Sequence, residues 1–386
     1  MKPDQIITSL GEIDAESFKG DEAARVRAIA AVSKLLNNLQ SPIERISGLI
    51  GMPYIWGSLE TFKDLGLLES WARDGGEKSV KELAEMANTA TDINLLRRLC
   101  RLMTSVDILE EVAEERYKPT EFSLFLGGIG AVQIQAWTEH WQFGSLASFL
   151  KTTSYEEPRD PKNTCYSNGV PEKLDFWARL GSNPDYQASF SGGMAVLTGS
   201  KIPWPEFFDT TNLLDGADPG SPILVDIGGN VGGDVGRFLA KHPDVPSGSL
   251  ILQDRPEALK LATVSDRVKT MEHDFFTPQP VHGSRAYFLH AVFHDWEHDK
   301  ALEILKNIVP AMKKGYSKVL ICDIVLPATG ASAMQAIMDV AMMVVLAAHE
   351  RTQAEWEKLL GDAGLKVTKL WPDPRGYETL IEAELA

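Results

Sequence analysis

The chain has 386 residues, of which 44% are hydrophobic and 24% are charged, as in ordinary globular proteins, and its length favours two domains. With 38 basic and 54 acidic side chains, the net charge of -16 disfavours nucleic acid or an anionic membrane as a partner. Three scattered cysteines indicate neither a disulfide framework nor a zinc site, and no metal is expected. The first residues do not follow the pattern of a signal peptide, so we expect a cytoplasmic protein that binds a small molecule.

Residues 1–120 are predicted to form a helical domain with little strand. Apolar residues recur at three- and four-residue spacing after Glu22, as on one face of a helix. Ser79, with a glutamate three residues later, is typical of a capping box, and Asp92 is predicted to open a further helix. A short hairpin is predicted over residues 108–120. Two helices followed by a hairpin resemble a winged helix.

A winged helix has two uses, DNA binding and assembly. The basic residues of this region form one cluster, Arg97, Arg98 and Arg101. The would-be wing carries four acidic residues, Glu110, Glu111, Glu114 and Glu115. Because these acidic side chains would repel the phosphate backbone of DNA, we favour a dimerisation role over DNA binding. Residues 22–50 hold more apolar side chains than one helical face needs, which predicts a homodimer formed through this segment.

Residues 121–386 are predicted to form an α/β domain. Its first part, residues 121–211, is rich in aromatic residues and is predicted to form a wall of the substrate pocket. After it, apolar strands alternate with amphipathic helices, which is typical of a doubly wound parallel sheet. The predicted strands are Ile223–Ile227, Leu250–Asp254, Ala286–His290 and Val319–Ile324. Two further runs, Val367–Trp371 and Thr379–Ala383, are separated by a short link and predict an antiparallel hairpin at the sheet edge.

The segment Leu224–Asp234 is the strongest single signal. An apolar strand enters a glycine turn that opens a helix, and the helix N-terminus presents free N–H groups to a ligand. Asp254 ends the next strand, where a carboxylate accepts hydrogen bonds from ribose hydroxyls. Asp226, before the turn, would repel a pyrophosphate, so S-adenosylmethionine (SAM) is favoured over NAD. Asn230 stands where the turn needs a residue that tolerates left-handed backbone.

His294 is the candidate catalytic residue. Ligands of such sheets lie outside the carboxyl ends of the strands, where the segment His294-Asp295-Trp296 follows one strand. The imidazole can remove a proton from a hydroxyl substrate, and Asp323 or Glu350 can orient it through the other ring nitrogen. A structural histidine is the alternative. Three polar groups at strand ends beside a cofactor turn favour catalysis.

These stretches together resemble the SAM-dependent small-molecule O-methyltransferases of the plant caffeate type, in their fungal secondary-metabolism branch. The resemblance extends over nearly the whole chain. It is carried by residues 224–229, 253–256, 273–280, 285–289, 294–296 and 350–352.

The resemblance implies an intertwined homodimer, a class I methyltransferase fold and SAM as the cofactor. It implies His294 as the base and Asp323 and Glu350 as its flanking acids, although Asp323 stands where plant members have Glu. The cofactor residues implied are Asp226, Gly228, Gly229, Asp254, Arg255, Asp274, Phe275 and His290. At the position of His290, members of the family commonly have Lys or Arg. The substrate residues implied are Trp137, His140, Trp141, Met194, Asp295 and Met342.

Three functions fit these residues. The first is methyl transfer from SAM to a phenolic or enolic hydroxyl of a fungal metabolite, an aromatic or polyketide-type molecule. The second is a dehydration or pericyclic reaction on the same fold, in which SAM is retained as a fixed positive charge. The third is non-enzymatic binding or regulation, which would not require His294, Asp323 and Glu350 together. We expect methyl transfer.

Overall fold

The computed structural model describes residues 3–140, 146–154, 156–329 and 331–386. The chain divides into two compact units, Met1–Thr138 and Glu139–Ala386. Within the described ranges, no helix is both long and apolar enough to cross a lipid bilayer.

The first unit is built from helices and one small sheet. Its helices are α1 (Pro3–Gly11), α2 (Glu22–Leu39), α3 (Pro42–Asp64), α4 (Leu67–Asp74), α5 (Val80–Met86), α6 (Ile93–Thr104), α7 (Glu121–Gly127) and α8 (Gly130–His140), with a 3-10 turn over Glu16–Phe18. Its strands are β1 (Lys78–Ser79), β2 (Leu109–Ala113) and β3 (Arg116–Pro119), antiparallel in the order β1-β3-β2.

The helix starts and the hairpin predicted for this unit are confirmed. The Ser79 side chain accepts from the Glu82 backbone while Glu82 accepts from Ser79, so two otherwise unpaired N–H groups are satisfied. Asp92 accepts from the first turn of α6 in the same way. The buried residues of α4, α5 and α6, including Trp71, Leu83 and Leu96, share one apolar core with Tyr117 of β3.

The second unit is built around a seven-stranded sheet. Its strands are β4 (Leu224–Ile227), β5 (Leu250–Asp254), β6 (Val268–Glu272), β7 (Ala286–His290), β8 (Lys318–Asp323), β11 (Leu365–Pro372) and β12 (Thr379–Leu385), and the short strands β9 (Val325–Leu326) and β10 (Arg351–Thr352) form a separate parallel pair. The helices are α9 (Leu146–Thr152), α10 (Cys165–Gly169), α11 (Phe176–Ser182), α12 (Pro184–Ser200), α13 (Trp204–Phe207), α14 (Thr211–Leu214), α15 (Gly233–Lys241), α16 (Pro256–Leu259), α17 (His298–Ile308), α18 (Ala333–Leu346) and α19 (Gln353–Asp362), with 3-10 turns over Phe293–Asp295 and Val309–Ala311.

The sheet has the order β11-β12-β8-β7-β4-β5-β6. Strands β8, β7, β4, β5 and β6 are parallel, and β12 and β11 add the predicted antiparallel hairpin at one edge. Successive residues of each central strand enter opposite apolar cores, for example Tyr287 and Phe288 of β7. The doubly wound fold predicted from sequence is therefore confirmed.

One strand of the sheet was not predicted from the sequence. Strand β6 is the edge strand beside β5, and its Lys269 and Thr270 are exposed. An edge strand does not need the continuous apolar run of a strand buried on both faces, so the sequence pattern gave no signal.

Candidate active site

The chemistry-bearing side chains gather at the carboxyl edge of the sheet because β4, β7 and β8 are neighbours. Asp226 pairs with Phe288, and His290 pairs with Cys322. The glycine turn after β4, His290 at the end of β7 and Asp323 at the end of β8 therefore follow adjacent strands. The crevice outside this edge is where ligands bind in such sheets.

The turn after β4 has the backbone geometry that its sequence predicts. Gly228 and Gly232 have φ of 71° and 87°, and Asn230 has φ of 51°. A Cβ atom at Gly229 would lie 2.5 Å from Leu252 Cδ1. These residues close a tight turn that places the N-terminus of α15 at the sheet edge.

Asp226 and Asp254 brace this turn. Asp226 is 1% exposed and its Oδ2 accepts from Val235 N at 3.2 Å. Burial, reinforced by Asp234, raises the pKa of Asp226 well above its ordinary value. Asp254 accepts from the backbone N–H groups of Asn230 and Arg255, both at 2.7 Å. Asp254 thus stands at the turn with its carboxylate already oriented.

Three further residues assigned to the cofactor lie around the same crevice. The Phe275 ring packs beside the turn, since its Cε1 would be 3.8 Å from a Cβ at Gly228. Asp274 is exposed and accepts from Phe276 N at 2.9 Å. The Arg255 guanidinium lies 5.8 Å from the centre of a Trp177 ring. Aromatic faces and a carboxylate here fit an adenosyl group.

His290 is enclosed in a charged network. Its Nδ1 lies 2.7 Å from Asp234 Oδ2, and its Nε2 lies 3.3 Å from Glu378 and 3.2 Å from Lys201 Nζ. Burial alone would lower the pKa of His290, but Cys322, Asp234 and Glu378 raise it well above its ordinary value. Both ring nitrogens already have protein partners, so we expect His290 to hold the turn and not to contact the cofactor directly.

His294 is surrounded by three carboxylates. Its Nδ1 lies 2.8 Å from Glu350 Oε1 and 3.7 Å from Asp323 Oδ1, and its Nε2 lies 3.5 Å from Asp295 Oδ1. The side chain of His294 is 12% exposed, and those of Asp323 and Glu350 are 1% and 0% exposed. The structure therefore brings together the imidazole and both flanking acids that the sequence assigned to it.

Burial and charge act in opposite directions on this cluster. Burial alone would lower the pKa of His294, but Glu350, Asp323 and Asp295 raise it to about 10. Burial raises the pKa of Asp295 to about 7 and that of Asp323 to about 6, although the nearby imidazole opposes both shifts. Perturbed groups of this kind concentrate at catalytic sites.

Arg351 and two alanines with left-handed backbone fix the main chain around the cluster. Arg351, 1% exposed, donates to the carbonyls of Phe293 and Trp296 on either side of the His294 turn. Ala291 and Ala347 have φ of 52° and 55°, a left-handed conformation that costs on the order of 1–3 kcal/mol in a residue other than glycine. Ala291 lies three residues before His294, and Ala347 lies three residues before Glu350. The backbone conformation at these alanines therefore orients both side chains.

The residues proposed for the substrate belong to both units. Met342 is 2% exposed within an apolar cluster, as expected of a core residue, whereas Met194 is half-buried on α12. Trp137 belongs to the first unit and donates to Gln133 Oε1 at 3.1 Å. The His140 side chain and the whole of Trp141 lie outside the described residues.

Lys201 and Glu378 were not predicted from the sequence. Lys201 follows the last turn of α12, and Glu378 precedes β12, whose first residue pairs with Asp323. The antiparallel hairpin predicted at the sheet edge is the signal that could have placed Glu378 beside β8. Lys201 has no such signal, because its partners lie 89 and 177 residues away in the chain.

A doubly wound sheet with a glycine turn after β4, a carboxylate at the end of β5 and an antiparallel hairpin at one edge is typical of a class I methyltransferase fold. A family model described as the O-methyltransferase domain matches residues 174–366. O-methyltransferase ATR12 of Stachybotrys chlorohalonatus is 54% identical to this chain over 98% of both. O-methyltransferase mfmE of Annulohypoxylon moriforme is 35% identical over 100% of this chain and 96% of its own.

Solved structures extend the comparison. One described as "A Pericyclic Reaction enzyme" aligns with a TM-score of 0.89 at 28% identity over 99% of both chains. LepI in complex with SAM aligns with a TM-score of 0.89 at 27% identity, again over 99% of both chains. The chain belongs to the O-methyltransferase family, so the resemblance is confirmed, and its cofactor is SAM.

Proposed function

We propose that the protein transfers a methyl group from SAM to a phenolic or enolic hydroxyl of a fungal secondary metabolite, an aromatic or polyketide-type molecule. The observation that carries the proposal is the imidazole of His294, 12% exposed and held by Glu350 at 2.8 Å, which follows the strand adjacent to β4. A binding or regulatory protein would not require an imidazole among three carboxylates. Relatives at 54% and 35% identity named as O-methyltransferases support the same conclusion.

Each group has a defined task in this proposal. When bound, SAM supplies an electrophilic methyl group on a sulfonium. Asp254 would accept from the ribose hydroxyls, and the ring of Phe275 would lie against the adenine. His294 and Asp295 would handle the proton of the acceptor hydroxyl, with Glu350 and Asp323 fixing the imidazole. Met194 would contact the planar face of the substrate, since thioethers suit aromatic rings.

A second function is favoured by one comparison. The similarity to a pericyclic reaction enzyme indicates that this fold also serves reactions without methyl transfer. To test the proposal, we would incubate the purified protein with SAM and a panel of hydroxylated aromatic and polyketide metabolites. We expect a product that carries one additional methyl group. A ring-closed or dehydrated product without added mass from methyl would support the second function.

We further propose that the protein is a cytoplasmic homodimer. Cys100 and Cys322 are buried free thiols, as is usual in a reducing compartment.

On α2 an apolar stripe is exposed: Ile29 51%, Val32 54%, Leu36 55% and Leu39 74%. Their spacing of three and four residues places them on one helical face, and an exposed patch of this kind marks an interface. A second copy of the chain is the partner we propose.

Light scattering at tens of micromolar protein is expected to give twice the chain mass. Leu36→Glu places a charge in the apolar stripe and is expected to give a monomer, because burying an unpaired charge is costly. Asn38→Glu is the matched control, since Asn38 is exposed on the opposite face of α2 and the change in charge is the same. A wild-type monomer would refute the proposed interface.

A further inference from the structure

Asn230 joins two parts of the second unit at one residue. Its backbone N–H donates to Asp254 Oδ2 at 2.7 Å, and its side-chain amide donates to the carbonyl of Ser191 on α12 at 3.3 Å. Asp254 belongs to the cofactor side of the crevice, whereas α12 carries Met194, the residue assigned to the acceptor. Asn230 therefore contacts the cofactor side with its main chain and the acceptor side with its side chain.

The shape of the turn does not require this side chain. Asn230 has φ of 51°, a left-handed conformation that glycine adopts at lower cost than any other residue. A glycine at this position would close the same turn without touching α12. The contact with α12 is therefore what the asparagine supplies beyond the conformation of its backbone.

The part of α12 that receives this contact is a buried polar row. Ser191 and Gln187 are 1% and 7% exposed, and Gln187 Nε2 donates to Ser191 Oγ at 3.0 Å. Residues four apart lie on the same face of a helix, so both side chains share one face. Buried polar groups are stable where they have hydrogen-bond partners. The Asn230 amide provides one such partner at this face.

The adjacent row of α12 packs toward the segment that carries the proposed base. Phe190 lies edge-on to Trp177 with 6.4 Å between ring centroids, and Trp177 stacks on Trp296 at 5.7 Å with an interplanar angle of 9°. Met194 lies four residues after Phe190 and so shares its face. Because packed interiors transmit displacements, a shift of this part of α12 moves the acceptor wall.

The C-terminal end of α12 is anchored by other residues. Arg237 donates to the carbonyl of Thr198, and Lys201, which follows the last turn, pairs with Glu378. Both anchors lie about two turns or more beyond Ser191. If the contact with the glycine turn is lost, the helix keeps these anchors and only its central part is released.

We propose that Asn230 is a positioning residue that couples cofactor binding to the placement of α12 as the acceptor wall. The inference rests on the proposed methyl transfer, in which Asp254 accepts from the ribose and Met194 contacts the acceptor. A cofactor bound to Asp254 restricts the turn, and the Asn230 amide then restricts α12. The coupling is reciprocal, and the net contribution of one hydrogen bond makes it about two- to tenfold in affinity.

Hydrogen exchange of α12 tests this coupling without an acceptor. Saturating S-adenosylhomocysteine is expected to slow exchange of the backbone amides of Pro184–Ser200 in the wild-type protein. In Asn230→Gly the turn should remain protected, but the added protection around Ser191 should fall by about two- to tenfold. Equal protection of α12 in both proteins, or none in the wild type with the ligand bound, would overturn the inference.

Two further variants separate the tether from the backbone. Asn230→Asp keeps the size of the side chain and tolerates left-handed backbone, but an oxygen replaces the N–H donor, so it should behave as Asn230→Gly does. Asp107→Gly is the matched control. Asp107 has φ of 56° and is exposed in the first unit, so the same type of backbone change there should leave the response of α12 unchanged.

The second test uses a hydroxylated metabolite that the enzyme methylates. S-adenosylhomocysteine is expected to tighten binding of this acceptor to the wild-type protein by about two- to tenfold, and Asn230→Gly should lose that gain. At saturating SAM the variant should show a raised KM for the acceptor and nearly wild-type kcat, because the His294 cluster is unchanged. A lower kcat with unchanged KM would indicate a general structural defect and would contradict the coupling.

The two tests distinguish failure of this inference from failure of the proposed function. Methyl transfer by Asn230→Gly with the wild-type KM for the acceptor would refute the inference alone. A protein that methylates no acceptor, yet shows protection of α12 by S-adenosylhomocysteine that requires the Asn230 amide, would refute the proposed function alone.

Discussion

Replacement of His294 by alanine is expected to lower turnover by about 10²–10⁴-fold, the usual loss when a positioned acid–base group is removed. The variant loses the imidazole whose Nδ1 lies 2.8 Å from Glu350 and whose Nε2 lies 3.5 Å from Asp295. Without the imidazole, the cluster lacks the group that we propose to take up the proton of the acceptor hydroxyl. Steady-state kinetics at pH 8 with saturating SAM measures the effect.

Two controls separate this loss from misfolding. His298→Ala removes a nearby histidine whose side chain is 35% exposed and pairs with Asp362, and it should leave turnover unchanged. Calorimetry should show nearly unchanged affinity of His294→Ala for S-adenosylhomocysteine, because Asp254 and the glycine turn remain. An alanine variant with wild-type turnover on a neutral phenol would show that the cluster is not catalytic.

Gly232→Ala is expected to damage the cofactor turn severely. Gly232 has φ of 87°, and a Cβ there would lie 2.1 Å from Val264 Cγ1. Left-handed backbone costs about 1–2 kcal/mol in alanine and overpacking costs about 1–3 kcal/mol, so the free energy of unfolding should fall by roughly 2–5 kcal/mol. If the turn shifts to relieve part of this strain, the cofactor site is distorted. The affinity for SAM should then fall by about tenfold for each 1.4 kcal/mol relieved in this way. Urea unfolding and calorimetry measure the two effects.

Gly236→Ala is the matched control for this substitution. Gly236 lies four residues later in α15, and a Cβ there would meet nothing within 4 Å. Alanine is the better helix former, so this variant should be about 0.5–1 kcal/mol more stable and should bind SAM normally. Equal stability and affinity of the two variants would mean that the turn tolerates a side chain at Gly232, contrary to its geometry.

Local patterns predicted much of the fold and of the site. The capping box at Ser79 and the turn from Gly228 to Gly232 depend on neighbouring residues, so their geometry could be read from the sequence. The grouping of His294 with Asp323 followed from the rule that side chains at the ends of parallel strands meet at one sheet edge. Glu350 was proposed as an alternative partner of the imidazole and was supported by the family resemblance, and the pair β9 and β10 explains its place beside β8.

The rest depends on long-range contacts that no local pattern encodes. The sequence patterns did not predict the internal partners of Asp226 and His290, which are Val235 for the first and Asp234 with Glu378 for the second. The same holds for Asp295, which adjoins His294 in sequence. Its distance from Nε2 is set by the 3-10 turn that contains both residues and that Arg351 holds in place.

The central claim, methyl transfer from SAM, is tested most directly by counting S-adenosylhomocysteine against product in one reaction with the native acceptor. If SAM donates its methyl group, each product molecule carries one additional methyl and one S-adenosylhomocysteine is released. We predict this ratio of one to one. Many product molecules formed on one retained SAM, with no added methyl and no S-adenosylhomocysteine, would contradict the assignment and establish a reaction in which the sulfonium acts only as a fixed charge.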